Sequence, residues 1–169
     1  IRDGAGLQVW IDRIYARGYV AVDTETTGLN EMRADLVGVS LCVEAAEAAY
    51  LPLSHRAGQA DDLFGTDVLA EGQMDQAAAL AMLKPMLEDS SILKIGQNMK
   101  YDAKILARVG IQIAPIDDTM LMSYAQNGGL HNHGMDFLSE RYLDHAPISI
   151  KTLLGSGKSA ITFDRVPID

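Results

Sequence analysis

No run of eighteen apolar residues occurs in this 169-residue chain, so nothing in it reads as a membrane-spanning helix. The first residues, Ile1 to Gly6, lack the basic stretch and apolar core of a secretory leader, and a soluble protein is expected. A single cysteine, Cys42, excludes an internal disulfide and fits a reducing cytoplasm. Basic charge is scarce: 14 Lys and Arg stand against 23 Asp and Glu, for a net charge of −9. A protein that held nucleic acid by general attraction would show the reverse. Taken alone, the deficit favours a small-molecule or metal-binding role. Nucleic acid stays compatible only if the acids hold cations and neighbouring parts of a longer chain bring the basic surface. The start without methionine and the finish at "FDRVPID" lead us to expect a fragment of something longer. What is present, 48% hydrophobic residues, suffices for one sizeable core, so residues 1–169 are expected to form a single domain.

Leu7, Trp10, Ile11, Ile14 and Tyr15 recur at helical spacing until Gly18, and the strand "YVAVD" follows. "DLVGVSLCVE" and "AAYLPL" are short apolar or alternating runs, so the first third reads as a three-stranded meander. The Gly-, Asp- and Ala-rich stretch after it, ending at Gln73, reads as a surface loop, with the acidic run at Asp61 solvated. "MDQAAALAMLKPMLEDS" is helical, with Pro85 expected to kink it or begin a new turn. "SILKIG" is a fourth strand, "MKYDAKILARVG" a helix closed by Gly110, and "IDDTMLMSYAQNGG" another helix; "MDFLSERYLD" and "SIKTLLGSG" add two shorter ones. This order predicts an α/β fold: a mixed-direction sheet flanked by helices.

The strand "YVAVD" runs into "TETTGLN". Residues i and i+2 of a strand share a face about 7 Å apart, so Asp23 and Glu25 project together from its carboxyl end. Two carboxylates that close repel unless a cation lies between them, and oxygen-rich sites at strand ends suit Mg²⁺ or Mn²⁺. The plainer reading is two solvated acids in a strand-to-loop turn, with Thr24, Thr26 and Thr27 capping the backbone. "KIGQNMKYD" adds a third acid, Asp102, in the first turns of a helix beyond a second strand's end. It can approach the pair as a two-metal phosphoryl-transfer site requires, or it can simply favour a helix N-terminus.

"VAVDTETTGL" and "KIGQNMKYD", together with "AAYLPLSH", "LKPMLED" and "DDTMLMSYAQN" in this order, resemble the 3′–5′ proofreading exonuclease domain of bacterial family A DNA polymerases, among the ribonuclease-H-like DEDD exonucleases. The resemblance runs from about Tyr19 to the chain end. It implies a ribonuclease-H-like fold and a metal-dependent 3′–5′ exonuclease acting on the 3′ end of single-stranded or frayed DNA, within a polymerase of the same parent chain. It further implies that Asp23 bridges two divalent ions, Mg²⁺ or Mn²⁺ with Zn²⁺ able to take one site. Glu25 then binds one ion and helps orient the attacking water, and Asp102 holds the other. Leu29 takes the place of a leucine that wedges against the terminal bases. Thr24, Gln97, Asn98, Lys100 and Tyr101 fall where the family contacts the strand, and His133 is a further candidate phosphate contact. The implied location is cytoplasmic, against the nucleoid, with no membrane partner. The residues leave self-association open.

The chain departs from the family at one important point. The family's third motif, Tyr-x-x-x-Asp, is absent, and the sequence is expected to stop short of it; neither Asp164 nor Asp169 follows a tyrosine at the needed spacing. With three of four carboxylates a second ion should bind poorly. Asn132 and Ile150 stand where relatives carry a basic and an aromatic residue. Two alternatives remain: a ribonuclease D-type enzyme trimming RNA 3′ ends, and a catalytically silent platform for the polymerase. "GSGKS" is no P-loop, because the spacing would put its first glycine at Thr152 and a helix precedes it. "HNH", His131 to His133, reads as a polar turn, and Met120 to Met122 as core.

Overall fold

The computed structural model describes residues 1–57, 68–157 and 160–168. Asp3 begins the first helix by accepting the Gly6 backbone N–H at 2.7 Å. Gly18 ends it in the left-handed conformation (φ 79°), its N–H returned to the Ile14 carbonyl, a geometry that costs glycine nothing. This helix, α1 (Gly4–Arg17), buries Leu7, Ile11 and Ile14, whereas Tyr15 of the apolar set stays exposed. β1 (Tyr19–Thr26), β2 (Leu36–Glu44) and β3 (Glu47–Pro52) form the expected meander, and α2 (Gln76–Glu88) then packs on α1. The helix neither stops nor restarts at Pro85. It continues to Glu88, since a proline three residues from the end removes one backbone bond only.

β4 (Leu93–Gly96) lies parallel to β1, and α3 (Met99–Arg108) follows it. The segment "IDDTMLMSYAQN" is not one helix. β5 (Ile116–Asp118) pairs in parallel with β4 before α4 (Thr119–Asn127) begins, so the sheet has five strands in the order β3-β2-β1-β4-β5. Antiparallel β1–β2 and β2–β3 ladders beside parallel β1–β4 and β4–β5 ladders give the mixed sheet expected. α5 (Met135–Leu143), α6 (Ile150–Leu154) and a 3-10 turn at Phe163–Arg165 complete the described chain. The 3-10 turn lies against β1. The core joins Val20, Val22, Val39, Leu41 and Leu51 of the sheet to Leu7 and Ile14 of α1, Leu83 and Met86 of α2 and Ile105 and Leu106 of α3.

One further expectation is corrected, and one burial was not anticipated. Leu121 and Met122 are exposed, not core, and Met122 instead faces an apolar groove between α4 and α5. Lys94, in the middle of β4, is completely buried. Its ammonium donates to the carbonyls of Asp89, Ile92 and Ala114, which meets all three of its donors, and burial lowers its pKa. The acidic run at Asp61, together with Lys158, Ser159 and Asp169, lies outside the described residues. No helix among the described residues is long and apolar enough to cross a membrane.

Candidate active site

Alternation along β1 puts Val20, Val22 and Thr24 into the core, and Asp23 and Glu25 on the other face. Across the antiparallel ladder, Asp23 is opposite Ser40 and Glu25 is opposite Gly38. Gly38 is required there: a Cβ would fall 2.0 Å from the Tyr50 hydroxyl oxygen. The absent side chain lets Tyr50 lie across β2, and its phenol is pushed up by burial and by the charge of Glu25. The Tyr50 hydroxyl donates to Nε2 of His55 (2.7 Å), whose Nδ1 donates to the Val166 carbonyl (2.8 Å). The sheet and the C-terminal segment are thereby tied together beside Glu25.

Asp102 arrives from α3. Its Oδ1 accepts the Thr24 backbone N–H at 3.0 Å and the Thr24 hydroxyl at 2.6 Å, which anchors the first turn of α3 to β1. That turn is held at its start by Asp118, which accepts the N–H groups of Asn98 (3.0 Å) and Met99 (2.8 Å) while capping α4 through Met120 and Leu121. Asn98 takes the left-handed conformation (φ 61°), tolerable for asparagine, and its buried Oδ1 has no hydrogen-bond partner. Tyr101 donates to the Gly28 carbonyl (2.5 Å) and lies 2.6 Å from the Thr26 hydroxyl, pinning the loop that carries Leu29. Leu29 itself is 95% exposed.

Asp23, Thr24, Glu25, Leu29, Gln97, Asn98, Tyr101 and Asp102 therefore surround one cleft of about 520 Å³, whose far wall is Ile150, Leu154, Ile161 and Phe163. Enclosure raises Asp23 to about 6, with Asp102 adding repulsion. Glu25 rises to about 7 through burial and then the charges of Asp23 and Asp102. Asp102 is also raised, chiefly by burial, against the opposing bonds from Thr24. Two candidates lie elsewhere. Lys100 is exposed and off the cleft. His133 is buried, its Nδ1 2.7 Å from the Ser123 hydroxyl and its ring against Tyr124, and only its backbone carbonyl reaches toward the site, accepting from Gln97 at 2.8 Å. α5 has no side-chain cap, and Asn132 accepts the N–H of Gly134, the residue before the helix.

Sequence reasoning passed over Asp118 and Tyr50, which position the cleft, and named Thr26 only as a backbone cap. An acid directly before the Thr119 that starts a helix was the available signal for Asp118. The donor set is all oxygen and its acids repel one another, which fits a hard divalent cation in kind. Among the described residues, however, no three His, Cys, Asp or Glu side chains stand ready as a cluster to hold one. One oxygen of Asp102 is already committed to Thr24.

A family model described as a 3′–5′ exonuclease, that of DNA polymerase A, matches residues 1–168. The chain is 48% identical over 178 residues to DNA polymerase I of Rhizobium leguminosarum, covering all of this chain and 17% of that protein. It is 37% identical over 172 residues to DNA polymerase I of Pseudomonas aeruginosa, covering all of this chain and 18% of that protein. The chain thus spans less than a fifth of these relatives. Among solved structures, Brucella melitensis NrnC with bound Mg²⁺ matches with a TM-score of 0.60 at 25% identity over 80% of this chain and 58% of that one. Escherichia coli RNase D, an exoribonuclease, shares the ribonuclease-H-like fold: TM-score 0.65, 18% identity, 90% of this chain and 35% of that one.

Proposed function

We propose, from the premise that this chain belongs to the 3′–5′ exonuclease family of family A DNA polymerases, that its cleft hydrolyses the terminal phosphodiester at the 3′ end of single-stranded or frayed DNA. The observation that carries this reading is the meeting of Asp23, Glu25 and Asp102 in one cleft with an exposed leucine at its mouth. Leu29 offers an apolar edge against which an unpaired terminal base can rest, and Tyr101 fixes the loop that presents it. Gln97 and Asn98 present amide groups to the strand. A mismatch lowers the cost of unpairing, so a frayed end reaches the cleft more readily than a paired one.

Asp23, Glu25 and Asp102 are the residues that would hold divalent ions, Mg²⁺ or Mn²⁺, with Zn²⁺ an option at one position. Bound there, such ions lower the pKa of water and neutralise charge on the leaving oxygen. The protein's own part is to hold the carboxylates close despite their repulsion, and to fix Asp102 by its two bonds from Thr24. Burial and the charges of Asp23 and Asp102 raise Glu25 to about 7 in the metal-free protein, and a cation held there would relieve that repulsion. As one domain of a longer cytoplasmic polymerase working on the nucleoid, the chain would rely on neighbouring domains for general attraction to DNA.

RNA 3′-end trimming is the second reading, favoured by the likeness at 26% identity (TM-score 0.60) to an NrnC structure with pGG bound. Digesting DNA and RNA strands of one sequence, each with paired and mispaired 3′ ends, separates the two. Faster shortening of mispaired DNA supports proofreading. A preference for RNA supports trimming, and folded but silent protein points to a structural platform.

A further inference from the structure

Gln97 and Thr119 meet because two parallel strands end together. β4 and β5 pair through Gly96 and Asp118, so the residues that follow each strand, Gln97 and Thr119, are neighbours at the carboxyl edge of the sheet. The Thr119 hydroxyl donates to Oε1 of Gln97 and lies 3.1 Å from the Gly96 carbonyl, while Nε2 of Gln97 donates to the His133 carbonyl at 2.8 Å. A carbonyl only accepts, so the nitrogen of the carboxamide has to face His133 and its oxygen has to face the hydroxyl, which can donate. The carboxamide is thus held at both ends. One of its two N–H groups is left without a partner among the described residues, and Gln97 lines the carboxylate cleft.

His133 is the second, independent observation. It is 5% exposed, its ring packs against Tyr124 (3.8 Å between centroids) and His131 (4.9 Å), and its buried Nε2 has no hydrogen-bond partner. A phenylalanine would fill the same stack without burying an unmet nitrogen, which is unfavourable. What histidine adds is Nδ1, 2.7 Å from the hydroxyl of Ser123, itself buried in the middle of α4. That bond ties the backbone at His133, and with it the carbonyl that Gln97 uses, to the helix whose first residue is Thr119. Both ends of the carboxamide are therefore anchored on α4.

We propose that Thr119, Ser123 and His133 are positioning residues that hold the Gln97 carboxamide in one orientation, so that its remaining N–H is a fixed donor to an acceptor oxygen of a nucleic-acid strand in the cleft. None of the three lines the carboxylate cleft, and each acts through Gln97. That a strand lies in the cleft rests on the exonuclease reading. Glutamine is among the side chains with the most rotamer freedom to lose, so one ordered beforehand loses little of it on binding.

The test is the affinity of the chain in Mg²⁺ for an oligothymidylate octamer carrying hydrolysis-resistant phosphorothioate links, with the side-chain amide signals of Gln97 followed by NMR. The octamer should shift these signals in the native chain. Thr119→Val should weaken binding about three- to tenfold, the size of one hydrogen bond between neutral groups, and Thr119→Ser should restore it. Ser123→Ala should weaken it in the same direction. In a Gln97→Ala background, Thr119→Val and Ser123→Ala should have no further effect, because both act through Gln97. Equal losses with and without Gln97, or Gln97 signals that no concentration of octamer moves, would overturn the proposal. Variants that lower the melting temperature and leave affinity unchanged would also overturn it, since these residues would then serve the fold alone. Digestion of an unmodified octamer judges the exonuclease reading separately. Gln97-dependent binding without Asp23-dependent digestion would leave the positioning in place and fail that reading, and Asp23-dependent digestion with Gln97 unmoved would do the reverse.

Discussion

Thr24 gives both its backbone N–H and its hydroxyl to one oxygen of Asp102, at 3.0 and 2.6 Å, across 78 positions of sequence. Thr24 thereby joins the two acidic motifs and turns the other oxygen of Asp102 away from itself. Replacing the hydroxyl, as in Thr24→Val, is expected to slow catalysis about 10- to 100-fold, the range for loss of a group that orients a ligand. Thr24→Ser should restore the rate. Measuring kcat and KM separately checks the role, because a lost positioning contact lowers kcat with KM little changed.

Leu29 has almost no contact with the fold, so Leu29→Ala should shift stability by no more than about 0.5 kcal/mol. Its effect should fall on substrate handling, with slower removal of a paired 3′ terminus and a smaller effect on an already single-stranded end. Equal slowing of both ends would refute a wedge.

Asp118 accepts four backbone N–H groups at the junction of α3 and α4. Asp118→Ala leaves them without a partner in a mostly buried place and should cost roughly 2–4 kcal/mol, measured by urea unfolding. Asp118→Asn, which keeps one acceptor oxygen, should cost less.

The raised carboxyls set a pH dependence for the metal-free protein. With Asp23 at about 6 and Glu25 at about 7, the folded state keeps protons that the unfolded chain has released. Stability from this source is therefore fully present below about pH 4 and is lost as pH rises through 6 to 7. In EDTA the melting temperature should be higher near pH 5 than near pH 8 on this account, and the Asp23→Asn/Glu25→Gln pair should flatten the difference. Mg²⁺ should raise the native melting temperature at pH 8 and leave that of the pair unchanged. An identical pH slope in both proteins would count against burial and mutual repulsion raising these two carboxyls.

Much of this was legible in order along the chain. Two-residue alternation in "VAVDTET" correctly put Asp23 and Glu25 on one face, because a strand's period is short enough to show in a few residues. β5 was not legible: three residues, Ile116–Asp118, are too few for any period, and they form a strand only because Lys94, Ile95 and Gly96 offer a parallel edge. The burial of Lys94 was not legible either, since it depends on three carbonyls that converge on its ammonium. The Thr24–Asp102 and Tyr101–Gly28 contacts are likewise long-range, so no local pattern announces them. Met122 misled for the opposite reason: an apolar side chain says that it can be buried, not that anything covers it.

The most direct measurement is the digestion of a 5′-labelled single-stranded DNA oligonucleotide in Mg²⁺ and in Mn²⁺, by this chain and by a version extended past Asp169, each beside Asp23→Asn. The account predicts a metal-dependent ladder shortening from the 3′ end, lost with Asp23→Asn while the fold is kept. Folded protein that yields no ladder in either length, or a ladder that survives Asp23→Asn, would contradict it.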